Sequence, residues 1–284
     1  MNTTRIDVLD HGFVEFLDCM GDDFTPAQDA RISTGSEAKD ENADRILTRF
    51  LLRHKHSTPF EGVILKFKVK APIMVFREWH RHRTQSFNEV SGRYRQLDPE
   101  YYLPEPSRIK KQSTTNKQGS GEEFDFHDQT SILENWKIHQ EEFEIDYCKL
   151  INNNVANELA RLEMPVSHYS EMIVTANLLN WFRFLQLRMA SAAQFEIRQY
   201  ANAIGELIKE RFPICWSAFE DYWLNAITFS AKELQALART DIDWLLSEHA
   251  EENLISLKGR ELQEFKDKIL RIKPDTATYY ALIE

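Results

Sequence analysis

The sequence is poor in cysteine and in positive charge, and it has no long apolar run. Its three cysteines, Cys19, Cys148 and Cys215, lie far apart with no close pair, which argues against a disulfide framework or a zinc knuckle and predicts reduced, buried thiols. No apolar stretch approaches the ~20 residues of a membrane helix. The polar start Met1-Asn2-Thr3-Thr4-Arg5 lacks the basic and apolar regions of a secretion signal. A soluble, cytoplasmic protein without membrane contact is expected. With 35 Lys+Arg against 45 Asp+Glu, the net charge of -10 repels nucleic acid at long range. Nine glycines and nine prolines in 284 residues, with 42% hydrophobic residues, describe a globular chain able to bury a sizeable core.

Several elements follow from periodicity. Ile6 to Gly12 alternates and breaks at glycine, as a short edge strand and turn would. Between Asp40 and His54, the residues Ala43, Ile46, Leu47, Phe50 and Leu51 recur at helical spacing. Val63, Leu65, Phe67 and Val69 alternate with Ile64, Lys66, Lys68 and Lys70, which predicts a strand with one wet face. Ala71-Pro72 is expected to open a helix through Trp79. Residues 104 to 125 read as a polar surface loop. A long helix is expected from Asp128 to Arg161, with Ile132, Leu133, Trp136, Phe143, Tyr147, Leu150 and Ile151 as a core or interface stripe. Ser191 is expected to cap a helix over Ala192 to Phe212, closed by Pro213. The tail beyond residue 225 is charged and helical in pattern, with Leu234, Leu237, Leu245 and Leu246, and is expected to pack on the preceding domain.

Against the acidic background, Arg77, Arg81, Arg83, Arg93 and Arg95 fall within nineteen positions, with His80 and His82 among them. Guanidiniums so close repel one another unless anions or carboxylates lie between them. The planar fork of arginine grips phosphate oxygens at two points, so a phosphorylated ligand fits. A solvated basic face paired internally with Glu78 and Glu89 fits the charge equally well. The polar continuation Ser86, Asn88, Glu89, Ser91, Gly92 favours a nucleotide, because hydroxyls and backbone N–H groups add directional contacts.

Arg81-His82-Arg83, seven residues, then Ser91, within Ser86-x-Asn88-Glu89-x-Ser91-Gly92-Arg93-Tyr94, resembles the signature of flavin-dependent thymidylate synthases. The resemblance runs from Val8-Leu9-Asp10-His11-Gly12 to about Tyr222. It takes in His56-Ser57-Thr58-Pro59-Phe60-Glu61, Ala160-Arg161, and Asn177 through Phe184-Leu185-Gln186-Leu187-Arg188. It implies an α/β (α+β) fold, a mixed sheet flanked by long helices over residues 1–225, with 226–284 as an extension. It also implies a homotetramer with shared active sites, FAD as cofactor, and NADPH and methylenetetrahydrofolate as co-substrates in the conversion of dUMP to dTMP.

By resemblance, Ser33, Thr58, Arg81, His82, Arg83, Glu89 and Asn177 contact FAD. Glu78, Arg81, Glu89, Ser91, Gly92, Arg93, Arg161 and Arg188 surround dUMP, and Arg188 matches the family's catalytic arginine. Many members carry arginine where Leu179 stands. Arg183, one helical turn on, is the expected substitute. Two rivals remain at this point: a thymidylate synthase using Cys215 as nucleophile, and a nucleic-acid module using the arginines as a phosphate track. Within the flavin reading, the nucleotide could be a pyrimidine other than dUMP.

Overall fold

Leu65, Phe67, Val69 and Ala71 are fully buried, while Lys66 between them is exposed, and this alternation sets one face of a strand against the core. The computed structural model describes residues 4–37, 40–114, 117, 119–237 and 257–272. The alternating residues form β3 (Ile64–Pro72). It is joined by β1 (Arg5–Val8), β2 (Gly12–Met20), β4 (Ser86–Glu89) and β7 (Tyr169–Asn177). These five make one sheet in the order β1-β2-β3-β7-β4, with β3 at its centre. Gly12 is required where β2 begins, because a Cβ there would lie 2.0 Å from the Tyr200 hydroxyl, which donates to the Lys70 carbonyl.

Every neighbouring pair of strands is antiparallel, which corrects the expected mixed sheet. The register gives the reason. Met20, at the end of β2, lies opposite Ile64, at the start of β3, and Pro72, at the end of β3, lies opposite Tyr169, at the start of β7. The chain therefore re-enters the sheet at the end where it left, and no parallel crossover arises.

Helix α1 (Thr25–Ile32) and α2 (Glu41–Arg53) fill the first excursion, and the Asp40 side chain caps α2 by accepting from the Ala43 N–H. A 3-10 turn, Thr58–Glu61, leads into β3. Helix α3 (Ile73–Trp79) starts directly after β3, with Pro72 as the last strand residue rather than inside the first helical turn. Helix α6 (Leu178–Arg188) starts directly after β7. Helix α7 (Phe195–Arg211) packs against both α3 and α6, and its buried Ile197, Tyr200, Ile204 and Leu207 join the core with Trp79, Trp181 and Phe184.

Three expectations change. The long helix is α4 (Phe126–Asn152), which ends at three successive asparagines, Asn154 taking a φ of 60°. Asparagine tolerates that left-handed conformation, and the short helix α5 (Asn157–Ala160) follows the break. On α4 only Gln129 and Tyr147 are buried; of the expected stripe, Ile132, Leu133, Phe143 and Ile151 are half-buried, and Trp136 and Leu150 are exposed. Helix α7 starts at Phe195 and Ser191 does not cap it, because residues 190–193 turn on themselves through a bond from the Ala193 N–H to the Ala190 carbonyl. Residues 104–125 hold a two-stranded ribbon, β5 (Lys110–Gln112) with β6 (Ser120–Glu123), in place of a plain loop.

Residues 1–225, which close with α8 (Pro213–Phe219) and a π-helical turn at Glu220–Leu224, form one compact unit. Residues 226–284 form a second, with α9 (Ala231–Leu237) and α10 (Gly259–Ile272). Leu245 and Leu246 lie outside the described residues. No helix among the described residues is long and apolar enough to cross a membrane.

Candidate active site

Arg188 is the last residue of α6, and Glu78 and His82 lie at the end of α3 and just beyond it. These three side chains meet. Arg188 Nε donates to His82 Nε2 at 3.0 Å, Nη1 to Glu78 Oε2 at 3.0 Å, and Nη2 to the Glu78 carbonyl at 3.0 Å. The Arg188 and Glu78 side chains are only 15% and 27% exposed. Burial, reinforced by the Arg188 cation, lowers His82 from 6.5 to about 4. His82 is therefore neutral at pH 7, and accepting through Nε2 places its proton on Nδ1. Burial raises the Glu78 carboxyl, the Arg188 cation opposes that, and Glu196 adds to it.

The same contacts show that Glu78 and Glu89 do not neutralise the basic cluster from within. Glu78 is taken by Arg188, and Glu89 accepts from the Ser170 hydroxyl at 2.9 Å. Arg93 pairs with Glu158 and Arg95 with Asp98. Among the described residues, no ion pair to a carboxylate engages Arg77, Arg81, Arg83 or Arg161, and Arg81 and Arg83 are exposed. An uncompensated arginine set of this kind suits the diphosphate of a dinucleotide cofactor, so the donor chemistry fits FAD.

Ser91, Gly92, Arg93 and Arg161 form a second group. A Cβ on Gly92 would lie 2.9 Å from Leu97 Cδ1 and 3.1 Å from Arg161 Cδ, so glycine lets the segment close on the arginine. The Ser91 hydroxyl accepts from the Arg93 N–H at 3.3 Å, and no described contact gives it a base. Between the two groups runs β4, which pairs with β7 from Ser86↔Thr175 to Glu89↔Met172.

A family model described as thymidylate synthase complementing protein matches residues 15–214. A flavin-dependent thymidylate synthase of Thermus thermophilus is 44% identical over 267 residues, covering 93% of this chain and 95% of that one. Another from Treponema denticola is 41% identical over 268 residues, covering 92% and 96%. The chain belongs to the flavin-dependent thymidylate synthase family. Membership makes it a flavin-dependent enzyme and a methyltransferase. Among solved structures, the UMP/dUMP methylase PolB of Streptomyces cacaoi bound with 5-Br dUMP is 31% identical with a TM-score of 0.70, covering 78% of this chain and 100% of that one.

Within this family member the remaining expected residues are placed as follows. Leu179 is fully buried, so that position delivers no polar group. Arg183 is exposed and its Nη1 donates to Asn180 Oδ1 at 3.2 Å, while Asn180 Nδ2 lies 3.5 Å from the Thr84 carbonyl in the signature segment. Asn177 caps α6 by accepting from the Asn180 N–H. Ser33, at the end of α1, and Thr58, in the 3-10 turn, are exposed, and no described hydrogen bond joins them to Glu78, His82 or Arg188. Cavities of about 300 and 720 Å³ adjoin Gly92 and Glu78 through Leu97 and Glu196 respectively, and none of the expected site residues lines them.

Cys215 is fully buried, burial pushes its thiol well up, and its Sγ donates to the Asp23 carbonyl at 3.6 Å. A thiol so placed is no nucleophile. Cys19 and Cys148 are exposed, which corrects the expectation of three buried thiols: both lie on wet faces, of β2 and α4. Ser170 and Asn180 are additions to the site that the sequence reading missed. The alternation of buried Met172, Val174 and Ala176 is the signal that marks β7 and brings Ser170 with it.

Proposed function

We propose that the protein methylates dUMP to dTMP, with methylenetetrahydrofolate as one-carbon donor, FAD as cofactor and NADPH as reductant, in the cytoplasm. The observation that carries the reading is Arg188, held by three hydrogen bonds at the junction of α3 and α6, in a chain whose Arg81 and Arg83 have no carboxylate partner among the described residues. A guanidinium has five N–H groups, so two remain for a ligand. Directed at O2 and N3 of uracil, they stabilise the anion left when the N3–H bond breaks and its proton passes to solvent. The ring becomes more electron-rich, so C5 can bond to the methylene carbon as that carbon's bond to a folate nitrogen breaks, without a protein nucleophile, and the C5–H proton is lost afterwards. Reduced flavin, when bound, supplies the hydride that completes the methyl group.

Arg161, closing over Gly92, and Arg93 and Ser91 hold the nucleotide phosphate in this reading, and Arg81, Arg83, His82, Glu89, Asn177 and Arg183 hold the cofactor. Ser33 and Thr58, which no described hydrogen bond ties to the Arg188 network within the chain, contribute from other subunits of a homotetramer. The exposed apolar residues Trp136, Ile138, Ile145 and Leu150 on α4 support that assembly. The likeness to a UMP/dUMP methylase, also solved with 5-Br UMP, favours a second reading in which UMP is accepted as well.

The test is the absorption spectrum of the purified protein, followed by anaerobic mixing with dUMP or UMP, methylenetetrahydrofolate and NADPH. Bound flavin and dTMP are expected. A colourless protein that neither takes up FAD nor forms dTMP refutes the reading.

A further inference from the structure

Glu78 is the acidic side chain that touches Arg188 among the described residues, through both its carboxylate and its main-chain carbonyl. The groups facing it are Arg188 from α6, Glu196 from α7 and, beside neighbouring Trp79, Tyr200. His82 faces Arg188 from the segment after α3, and the buried residues of β3 are apolar. Glu196 is compensated, accepting from Tyr102, Arg108 and Gln194. The uncompensated negative charge acting on Arg188 is therefore that of Glu78.

Two consequences oppose each other. The carboxylate and carbonyl fix the plane of the guanidinium, so the fork is set before any nucleotide arrives. The carboxylate also cancels part of the field that Arg188 casts on its open side. We propose that Glu78 is a positioning residue that sets the charge Arg188 presents to the pyrimidine, and so raises the pH at which N3 of the bound nucleotide ionises. The inference rests on the reading that Arg188 faces O2 and N3.

A ring bound to the outer N–H groups lies about one guanidinium width, roughly 6 Å, from the carboxylate; at an effective dielectric near ~20 that separation corresponds to roughly two pH units, and about one after solvent screening. Glu78→Gln separates charge from geometry, because its amide oxygen can still accept from Nη1 while the main-chain carbonyl and His82 continue to hold the other nitrogens.

The experiment follows 5-fluoro-dUMP bound to the FAD-loaded enzyme by fluorine-19 NMR across a pH series that spans the N3 titration of the wild-type complex. N3 is expected to titrate about one unit lower in Glu78→Gln than in the wild type, with Glu78→Asp returning toward the wild-type midpoint. An unchanged or higher midpoint in Glu78→Gln overturns the proposal. So does loss of the analogue by Glu78→Gln with retention by Glu78→Asp, since the side chain would then bind the nucleotide directly. A wild-type enzyme that binds FAD but not the analogue would instead sink the assignment of the nucleotide site, and this inference with it.

Discussion

Replacing Arg188 with alanine removes three hydrogen bonds and leaves the Glu78 carboxylate and His82 Nε2 without their partner. Breaking a fully buried ion pair costs about 3–5 kcal/mol, and an exposed pair contributes less than about 1 kcal/mol. With side chains 15% and 27% exposed, an intermediate loss of about 2 kcal/mol is expected, equivalent to a fall in Tm of roughly 6 °C. The pH dependence has a definite sign. Burial raises the Glu78 carboxyl while Arg188 lowers it, so without Arg188 it rises further. The deficit of the variant should narrow as the pH falls through that raised value, because a protonated carboxyl needs no cation. Turnover should suffer far more than stability, by about 10²- to 10³-fold, the usual effect of removing a preorganised donor that meets developing charge. Flavin absorbance should remain, since Arg81 and Arg83 are untouched. The assays are dTMP formation at saturating flavin, flavin content of the purified variant, and thermal denaturation at several pH values. Turnover within about tenfold of the wild type would refute the assignment of ring activation to Arg188.

Cys215→Ser should retain near-normal turnover and lose about 1 kcal/mol of stability, since a buried hydroxyl replaces a well-packed thiol, and abolished turnover would instead restore a thiol mechanism. His82 is lowered to about 4, so its neutral form is favoured by folding; stability should be full above about pH 6.5 and decline toward pH 4, by roughly 1–2 kcal/mol after screening. His82→Gln should flatten that decline in thermal melts, and equal slopes would count against it. Arg183→Ala should weaken FAD retention by about tenfold, measured by flavin titration, through a lost guanidinium contact; unchanged retention would remove Arg183 from the cofactor site. Leu179→Arg should destabilise the fold rather than restore flavin contact, because Leu179 is fully buried; a melting point equal to the wild type would be inconsistent with that packing.

Regular alternation and helical spacing made β3 and α2 legible from sequence, α2 to within a residue of Asp40 and His54. The signature segment was legible as a mark of the family but not as β4, because Ser86 to Glu89 is short and polar and becomes a strand by pairing with β7. Strand direction was not legible, since no local pattern records which end of the sheet the chain returns to. The break after Asn152 was written in three successive asparagines, yet the helical pattern read as continuous through them to Arg161. At the candidate site, sequence named Glu78, His82 and Arg188 but not that they bond to one another. The union of Glu78, His82 and Arg188 joins positions more than a hundred apart, and only tertiary packing reveals it.

That union depends on two helices that begin at opposite ends of neighbouring strands, α3 after Pro72 and α6 after Asn177, and finish beside each other. The sheet acts as a ruler, and the helices are cut to length against it. One residue inserted in α6 would advance Arg188 by ~1.5 Å and turn it by ~100° about the helix axis, away from Glu78. The ribbon between residues 104 and 125 carries none of these three groups, and it is tied to the core where Arg108 pairs with Glu196. A residue gained or lost in α3 or α6 would therefore part Glu78 and His82 from Arg188.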